Sequence, residues 1–430
     1  MRRPIMTMAV LIVAASVGLS GVLAGSNEPA GYPAPDYLNG VDRLGTADSI
    51  EFFERRLDDH HDTSTLSTLG RLYLTRSRET GDQSLLDDAE RTFNEALALR
   101  ADHPGALLGL SAVRHAQHRF PESLTLAEAA YDAEPSGPTL SVIGDVKSAL
   151  GDYEGAGVAY DQALADFGAE AVLPGLALLS EVKGQPAEAF RLLEQAAARS
   201  LEARVVGEPA AWYQERLAHL HLEQGNVDEA ERRFEAALRL FPESTDSIAG
   251  LASVAEARRE YDKALGIFTS LANPGPGELI SIGDLYVATD RPDIAETYFS
   301  HAIEQMKALD IRITARELAM FYADHDRNPD EALRLAMEDF ERRPDLHGYE
   351  TLAWTLYRAG QFEEARSVSD EALAFGVNDS PLRYHAGLIA LALGEPERAK
   401  AELEMALDIN PVWHVLHADH AREVLSSLPG

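Results

Sequence analysis

One pattern of small and apolar residues recurs along this chain about every thirty-four positions. In the stretch that starts at Gly137, small residues occupy positions eight, fifteen and twenty, and a large ring occupies position twenty-four. The residues of that stretch are Leu140, Ile143, Gly144, Lys147, Gly151, Tyr153, Ala156, Tyr160 and Ala163. The stretches that start at Ala211, Leu346 and Ser380 follow the same order. With 430 residues, the chain is too long for one ordinary core, so the period predicts a stacked array.

This pattern resembles the tetratricopeptide repeat, a unit of two antiparallel helices. In that family the small residues at positions eight and twenty let helices approach closely, and a turn residue near fifteen ends the first helix. About ten units are visible. They begin near Thr63, Pro104, Gly137, Glu170, Ala211, Thr245, Pro276, Ile313, Leu346 and Ser380. The eighth unit departs most, with Met320 at position eight and Asp339 at position twenty-seven.

The resemblance implies an all-α fold, a right-handed superhelical solenoid of about ten helix pairs with a capping helix at each end. We expect residues 46–62 to form the N-terminal cap, 63–411 the array, and 412–430 the C-terminal capping helix. The run Asn273-Pro274-Gly275-Pro276 predicts an abrupt connection. It is either a tight turn inside a continuous solenoid or a bend between two lobes.

The N-terminus reads as an export signal. Arg2 and Arg3 precede an apolar stretch from Ile5 to Leu23, and residues 22–24 offer a cleavage site of small residues after Ala24. We therefore predict a signal peptide at 1–24, a spacer rich in Pro and Gly at 25–45, and a periplasmic or extracellular mature chain. An uncleaved membrane anchor is the alternative, because the apolar stretch approaches the length of a membrane span.

The charge of the chain restricts its partners. The formal net charge is -33, from 71 acidic and 38 basic residues. Such a surface repels phosphate backbones, so we expect no nucleic-acid binding. The excess of acid either keeps the protein soluble or suits a basic partner. Because there is no cysteine, disulfides and thiolate metal sites are excluded.

No catalytic motif accompanies the repeats. A phosphate-binding loop needs glycines between a strand and a helix, and the pattern predicts no strands. A Gly-x-Ser-x-Gly nucleophile elbow is also missing from the sequence. We therefore predict no enzyme activity and no cofactor.

The resemblance also implies where a partner binds. In tetratricopeptide proteins the first helices of successive units line a concave groove, which positions two, five, nine, twelve and thirteen of each unit usually face. Aromatic side chains beside charges favour recognition there. The predicted groove residues are Trp212, Glu215, His219, Phe321, His347, Glu350, Trp354, Tyr357, Arg358 and Tyr384. The alternative is that Trp354 or Trp212 packs against a neighbouring helix. The leading hypothesis is thus an exported scaffold that binds a protein or peptide; an acidic groove would suit a basic or amphipathic segment.

Two further hypotheses remain. His414, His417 and His420 recur every three residues near the C-terminus, which places neighbours on one side of a helix. His414 and His417 are therefore candidate metal ligands of a metal-handling or substrate-handling accessory protein. A polar capping face is the simpler interpretation of the same residues. A structural envelope protein that self-associates is the third hypothesis.

The signal peptide generates a direct prediction. We expect the mature chain recovered from cells to begin at Gly25, because Ala24 offers the small side chain that a signal peptidase requires. Intact-mass measurement of the exported protein checks this. In the Ala24→Arg variant the leader should be retained. An exported chain that still carries residues 1–24 in the unaltered protein would contradict the prediction.

Overall fold

The computed structural model describes residues 45–168 and 170–428. Within these ranges the regular structure is 22 α-helices and a single 3₁₀ turn, with no strand. The all-α prediction is therefore confirmed. The predicted signal peptide and all of the predicted spacer except Gly45 lie outside the described residues.

The helices follow one another through short turns. Their bounds are α1 Thr46–Asp59, α2 Thr63–Thr80, α3 Ser84–Leu99, α4 Pro104–Ala116, α5 Phe120–Ala133, α6 Gly137–Ala149, α7 Tyr153–Phe167, α8 Leu173–Val182, α9 Pro186–Glu202, α10 Glu208–Glu223, α11 Val227–Leu240, α12 Thr245–Ala257, α13 Tyr261–Phe268, α14 Pro276–Ala288, α15 Pro292–Ala308, α16 Ile311–Asp324, α17 Pro329–Arg342, α18 Leu346–Arg358, α19 Phe362–Ala374, α20 Ser380–Ala392, α21 Pro396–Ile409 and α22 His417–Ser427.

Side-chain caps determine where many of the first helices begin. The Ser244 hydroxyl accepts the backbone N–H of Ser247 at 3.0 Å, so α12 begins at Thr245. The Asp379 carboxylate likewise accepts the N–H of Leu382 at 2.7 Å, and α20 begins at Ser380. Such caps satisfy backbone donors that have no partner within the helix. Helices α10 and α16 begin at Glu208 and Ile311, two or three residues before the predicted starts of their units.

The packing inside a unit depends on glycine at position eight. A Cβ added to Gly144 would lie 2.2 Å from Cε1 of Tyr160, and one added to Gly283 would lie 2.2 Å from Cε1 of Phe299. In both units the ring at position twenty-four rests directly on the backbone of the first helix. The two helices can approach this closely only because glycine has no side chain.

The eighth unit departs from the pattern but replaces the missing contacts with an ion-pair network. Asp339 is 1% exposed where other units carry a small residue. Its carboxylate accepts Nε of Arg316 and Nε of Arg343, each at 2.8 Å. Arg316 also contacts Asp345, the cap of α18. Burial alone raises the pKa of Asp339, but the two guanidinium groups lower it below its ordinary value. A buried carboxylate is tolerated here because its partners are complete.

The described residues divide into two compact units between Gly175 and Leu176, inside α8. The division does not fall at residues 273–276, where the sequence leaves open a bend between lobes. There the core is continuous, since Phe268 of α13 packs in one cluster with Ala252 of α12 and Ile282 of α14. Residues 273–276 are thus a connection inside the second unit.

The C-terminal cap is shorter than predicted. Only His417–Ser427 is helical, and residues 411–416 form turns. In the described part of the chain, none of the helices is long and apolar enough to cross a membrane.

The position-eight contacts generate a test with a matched control. We expect Gly283→Ala to lower the free energy of unfolding by about 1–3 kcal/mol, because the new methyl group displaces the Phe299 ring. Gly266, in the preceding helix α13, has no atom within 4 Å of an added Cβ. Gly266→Ala should instead raise the free energy of unfolding by about 0.5–1 kcal/mol through helix propensity. Urea unfolding of both variants measures the difference. Equal effects of the two substitutions would contradict this packing.

Candidate functional site

All ten predicted groove residues lie in the second unit, on four of its first helices. Trp212, Glu215 and His219 lie on α10, Phe321 on α16, and Tyr384 on α20. The other five lie on α18: His347, Glu350, Trp354, Tyr357 and Arg358. All ten therefore belong to one unit, but their surroundings differ.

The aromatic residues are mostly covered. Phe321 and Trp354 are each 2% exposed and Tyr384 is 3% exposed, so their rings are not free surface for a partner. The expectation that they face an open groove needs correction. Trp354 stacks on Tyr357, with ring centroids 4.8 Å apart and planes within 7°. Its Nε1 donates a hydrogen bond of 2.9 Å to Oδ1 of Asp324.

The C-terminal segment packs against the rings of Trp354 and Tyr384. Residues 411–427, hereafter the C-terminal segment, comprise the turns after α21 and helix α22. The ring of Trp413 lies 5.8 Å from that of Tyr384, and the ring of His417 stacks on Tyr384 at 5.0 Å. Asp419 pairs with Arg259 of the α12–α13 turn at 2.5 Å. The segment therefore crosses the inner side of the unit from α20 to α12.

The unit also closes on itself. The side-chain amide of Asn378 donates to Oε1 of Gln224 at 3.0 Å, and Asn410 donates to the carbonyl oxygen of Leu222 at 2.8 Å. The turn at Gly184 meets the turn at Gly376 so closely that an added Cβ would lie 2.0 Å from the Gly376 carbonyl oxygen. These contacts join the early repeats of the unit to its last ones. Near these contacts lies a group of side chains whose charges act on one another, hereafter called the recess: Glu181, Glu215, Glu223, Asp246, His347, Glu350 and Asp379.

The predicted charged residues differ in their exposure. Glu215 and Glu350 are buried, each 8% exposed, whereas the His347 side chain is 51% exposed. Glu223 and Asp246, which interact with this group, have side chains that are 45% and 44% exposed. Burial acts on the pKa of both His347 and Asp246, but the Glu350 carboxylate raises the pKa of His347 above its ordinary value and His219 lowers that of Asp246 below its ordinary value.

Charges from opposite walls of the recess act on each other. His347 of α18 is among the groups that lower the pKa of Glu181 on α8. Glu223 of α10 is among those that raise the pKa of Asp379 beside α20. Helices that are distant in sequence thus present their charges to one shared volume. The sequence reasoning missed Glu181, although it occupies position twelve of its unit and the groove rule identifies it.

Several carboxylic acids in the recess bind their protons unusually tightly. Burial raises the pKa of Glu181 to about 7 against the lowering effect of Arg216. Burial and the nearby Glu350 carboxylate raise that of Asp379 to about 7. Burial and Asp246 do the same to Glu215, whose Oε1 accepts the hydroxyls of Ser244 and Ser247 at 2.5 and 2.7 Å. A cation placed among these groups would relieve their mutual repulsion.

A second acidic group, Asp284, holds two histidines. It is 2% exposed, and its Oδ1 lies 2.8 Å from Nε2 of His325. Its Oδ2 lies 3.4 Å from Nε2 of His414. Burial raises the pKa of Asp284, but the two histidines lower it below its ordinary value. Asp284 occupies groove position nine of the seventh unit, so the groove rule also identifies this residue.

The predicted metal pair is placed differently from what the sequence spacing suggests. His414 precedes α22, and its Nδ1 accepts the backbone N–H of Leu416 at 3.1 Å. Since its Nε2 contacts Asp284, both ring nitrogens are engaged, and the prediction of His414 as a metal ligand needs correction. Burial, then the neighbouring His414 and His385, hold the pKa of His417 well below its ordinary value.

The fold and the position-specific contacts define a helical repeat protein whose units pack small residues against rings. The sequence profile described as tetratricopeptide repeat matches residues 74–138, 215–278 and 350–412. The chain belongs to the tetratricopeptide repeat family. None of the curated proteins matches it.

Several solved structures are similar over most of the chain. Yeast Tom70 has 15% identity and a TM-score of 0.38, covering 90% of this chain and 93% of its own. The Cut9–Hcn1 hetero-tetramer of the APC/C has 12% identity and a TM-score of 0.37, covering 98% and 99%. The P58(IPK) TPR domain has 13% identity and a TM-score of 0.29, covering 90% and 96%.

Glu215 generates a pH prediction. Its folded pKa of about 7 exceeds the ordinary value of 4.5, so the protonated acid stabilises the fold below pH 4.5 and this contribution disappears as pH rises through 7. The loss is about 3 kcal/mol for a shift of this size. In Glu215→Gln this pH dependence should be absent. Urea unfolding from pH 4.5 to 8 measures it.

The control for that experiment is Glu235→Gln, which removes an exposed carboxylate of α11. This variant should follow the pH dependence of the unaltered protein. A stability difference between Glu215→Gln and the unaltered protein that stays constant across the pH range would contradict the assignment.

Proposed function

We propose that this chain is an exported scaffold that binds a protein or peptide partner in the recess of its second unit and catalyses no reaction. Export is supported by the predicted leader at 1–24, and partner binding by membership of a repeat family whose members are in general scaffolds. The observation that carries the proposal is the group of carboxylates on α8, on α10 and before α20 whose negative charges act on one another.

The chemistry of the recess favours a basic partner. Glu181, Glu215 and Asp379 each have a pKa raised to about 7, so all three lie in surroundings that disfavour further negative charge. A lysine or arginine side chain of a partner supplies the missing positive charge and hydrogen-bond donors. Glu223 and Asp246, with nearly half of each side chain exposed, are the acids that such a side chain reaches first.

Aromatic and aliphatic contacts supplement these charges at the entrance of the recess. Trp212 is partly exposed at the start of α10, one turn before Glu215 and two turns before His219. Tyr357 and Arg358 are also partly exposed, at the end of α18. A half-exposed aromatic ring beside charge is a frequent anchor of protein interfaces. The proposed partner is therefore an extended or helical segment that carries both basic and apolar side chains.

Peptide binding tests this function. A fluorescent peptide rich in lysine and leucine should bind the full-length protein, and its affinity should fall as salt is added. The double variant Glu223→Gln plus Asp246→Asn should weaken binding about tenfold, which corresponds to about 1.4 kcal/mol. Fluorescence anisotropy measures both effects.

Two controls make the result specific. Glu235→Gln, on the outer helix α11, should leave the affinity unchanged. A peptide of the same length with glutamate in place of lysine should not bind. Equal affinity for the two peptides would contradict the proposal that the recess binds a basic segment. Equal affinity of the double variant and the unaltered protein would also contradict it.

A further inference from the structure

Three side chains from distant parts of the second unit converge beneath the C-terminal segment. Asp324 ends α16, His385 lies on α20, and His417 begins α22. Each offers one nitrogen or oxygen atom, and these three atoms lie within 4.8 Å of one another. Nε2 of His417 is 3.9 Å from Oδ1 of Asp324. None of these three is a neighbour of another in sequence, so the cluster exists only because the C-terminal segment folds back over α16 and α20.

His385 is the unexplained member of this cluster. It is 3% exposed; its Nδ1 lies beside the Glu350 carboxylate, and its Nε2 has no hydrogen-bond partner among the residues that the structure describes. A buried polar group without a partner costs free energy, and such groups are rare in native proteins. A ligand that bonds directly to an imidazole nitrogen accounts for this position.

The neighbouring groups orient the cluster in the way that metal sites require. Oε1 of Glu350 lies 3.4 Å from Nδ1 of His385, which leaves Nε2 as the free donor atom. Carboxylates commonly stand behind metal-binding histidines in this manner. On the other side, Trp354 donates its indole N–H to Oδ1 of Asp324 and stacks on the His385 ring at 4.2 Å. The indole thus fixes both the carboxylate and the imidazole.

We propose that Asp324, His385 and His417 bind a divalent first-row transition metal ion. Two imidazole nitrogens and one carboxylate oxygen suit zinc, iron and their neighbours, and three protein ligands leave a coordination position open. Bonds of about 2.1 Å require the donor atoms to lie roughly 3–4 Å apart. The present separations approach this range, so binding needs only small side-chain movements.

The site is distinct from the sequence-based pair of histidines. His414 keeps both of its nitrogens in contacts with Asp284 and with the Leu416 backbone, so it is not one of the ligands. The metal proposal is also independent of the basic partner, because it uses none of the accessible acids of the recess. If the peptide does not bind, the metal proposal still stands. If the metal does not bind, the proposal of a basic partner still stands.

Metal titration of the full-length protein tests the site. The protein is prepared without a polyhistidine tag, stripped with a chelator, and titrated with ZnCl₂ at pH 7 by isothermal calorimetry. One ion should bind per chain. His385→Gln and His417→Gln should each weaken zinc affinity by about 100-fold or more, and Glu350→Gln by about tenfold.

His420→Gln is the matched control, because His420 lies one turn after His417 on the same helix but is exposed and outside the cluster. It should keep the zinc affinity of the unaltered protein. Cobalt(II) gives a second readout that needs no variant, because four-coordinate cobalt with imidazole and carboxylate ligands absorbs intensely in the visible range. An unaltered protein that binds neither zinc nor cobalt stoichiometrically would overturn the proposal. So would zinc affinity that survives His385→Gln and His417→Gln, or that is lost only in His414→Gln.

Discussion

The side chain of Asn410 donates a hydrogen bond to the carbonyl oxygen of Leu222 across 188 positions of sequence. In a simple solenoid each unit contacts only its neighbours, and stability is close to a sum of local terms. This bond, with the paired amides of Gln224 and Asn378, adds a contribution to the free energy of folding that depends on every repeat between the joined residues. The recess, its shared charges and the histidine cluster all exist because the two ends of the second unit meet.

The sequence predicts the helices well because their determinants are local. A serine or aspartate before many first helices, a small residue at position eight and a ring at position twenty-four in many units act within one or two units, so they are readable without knowing the superhelix. The eighth unit shows the limit of this reading. Asp339 looks like an error in the pattern until Arg316 and Arg343 are seen around it.

The site is only partly predictable, for a different reason. The groove positions contain Glu215, His347 and Glu350, whose charges act on neighbouring groups of the recess, and they also contain Glu181 and Asp284. The groove rule fails for Trp354, whose ring stacks on Tyr357 and His385, and for Tyr384, which a segment after the last repeat covers. It does not identify His385, because position six is not a groove position. Its chemistry depends on Asp324 and His417, which only the tertiary fold brings near.

The closed form of the second unit constrains how such a protein changes over time. Open arrays lengthen or shorten by duplication or loss of whole repeats, since a new pair merely extends the stack. Here an added pair between α10 and α20 would carry Asn378 and Asn410 away from the turns they join, and the Gly184 turn would lose its place against Gly376. The contacts that close this unit therefore fix its number of repeats. Related chains that keep these contacts should differ by substitutions and not by the gain or loss of repeats.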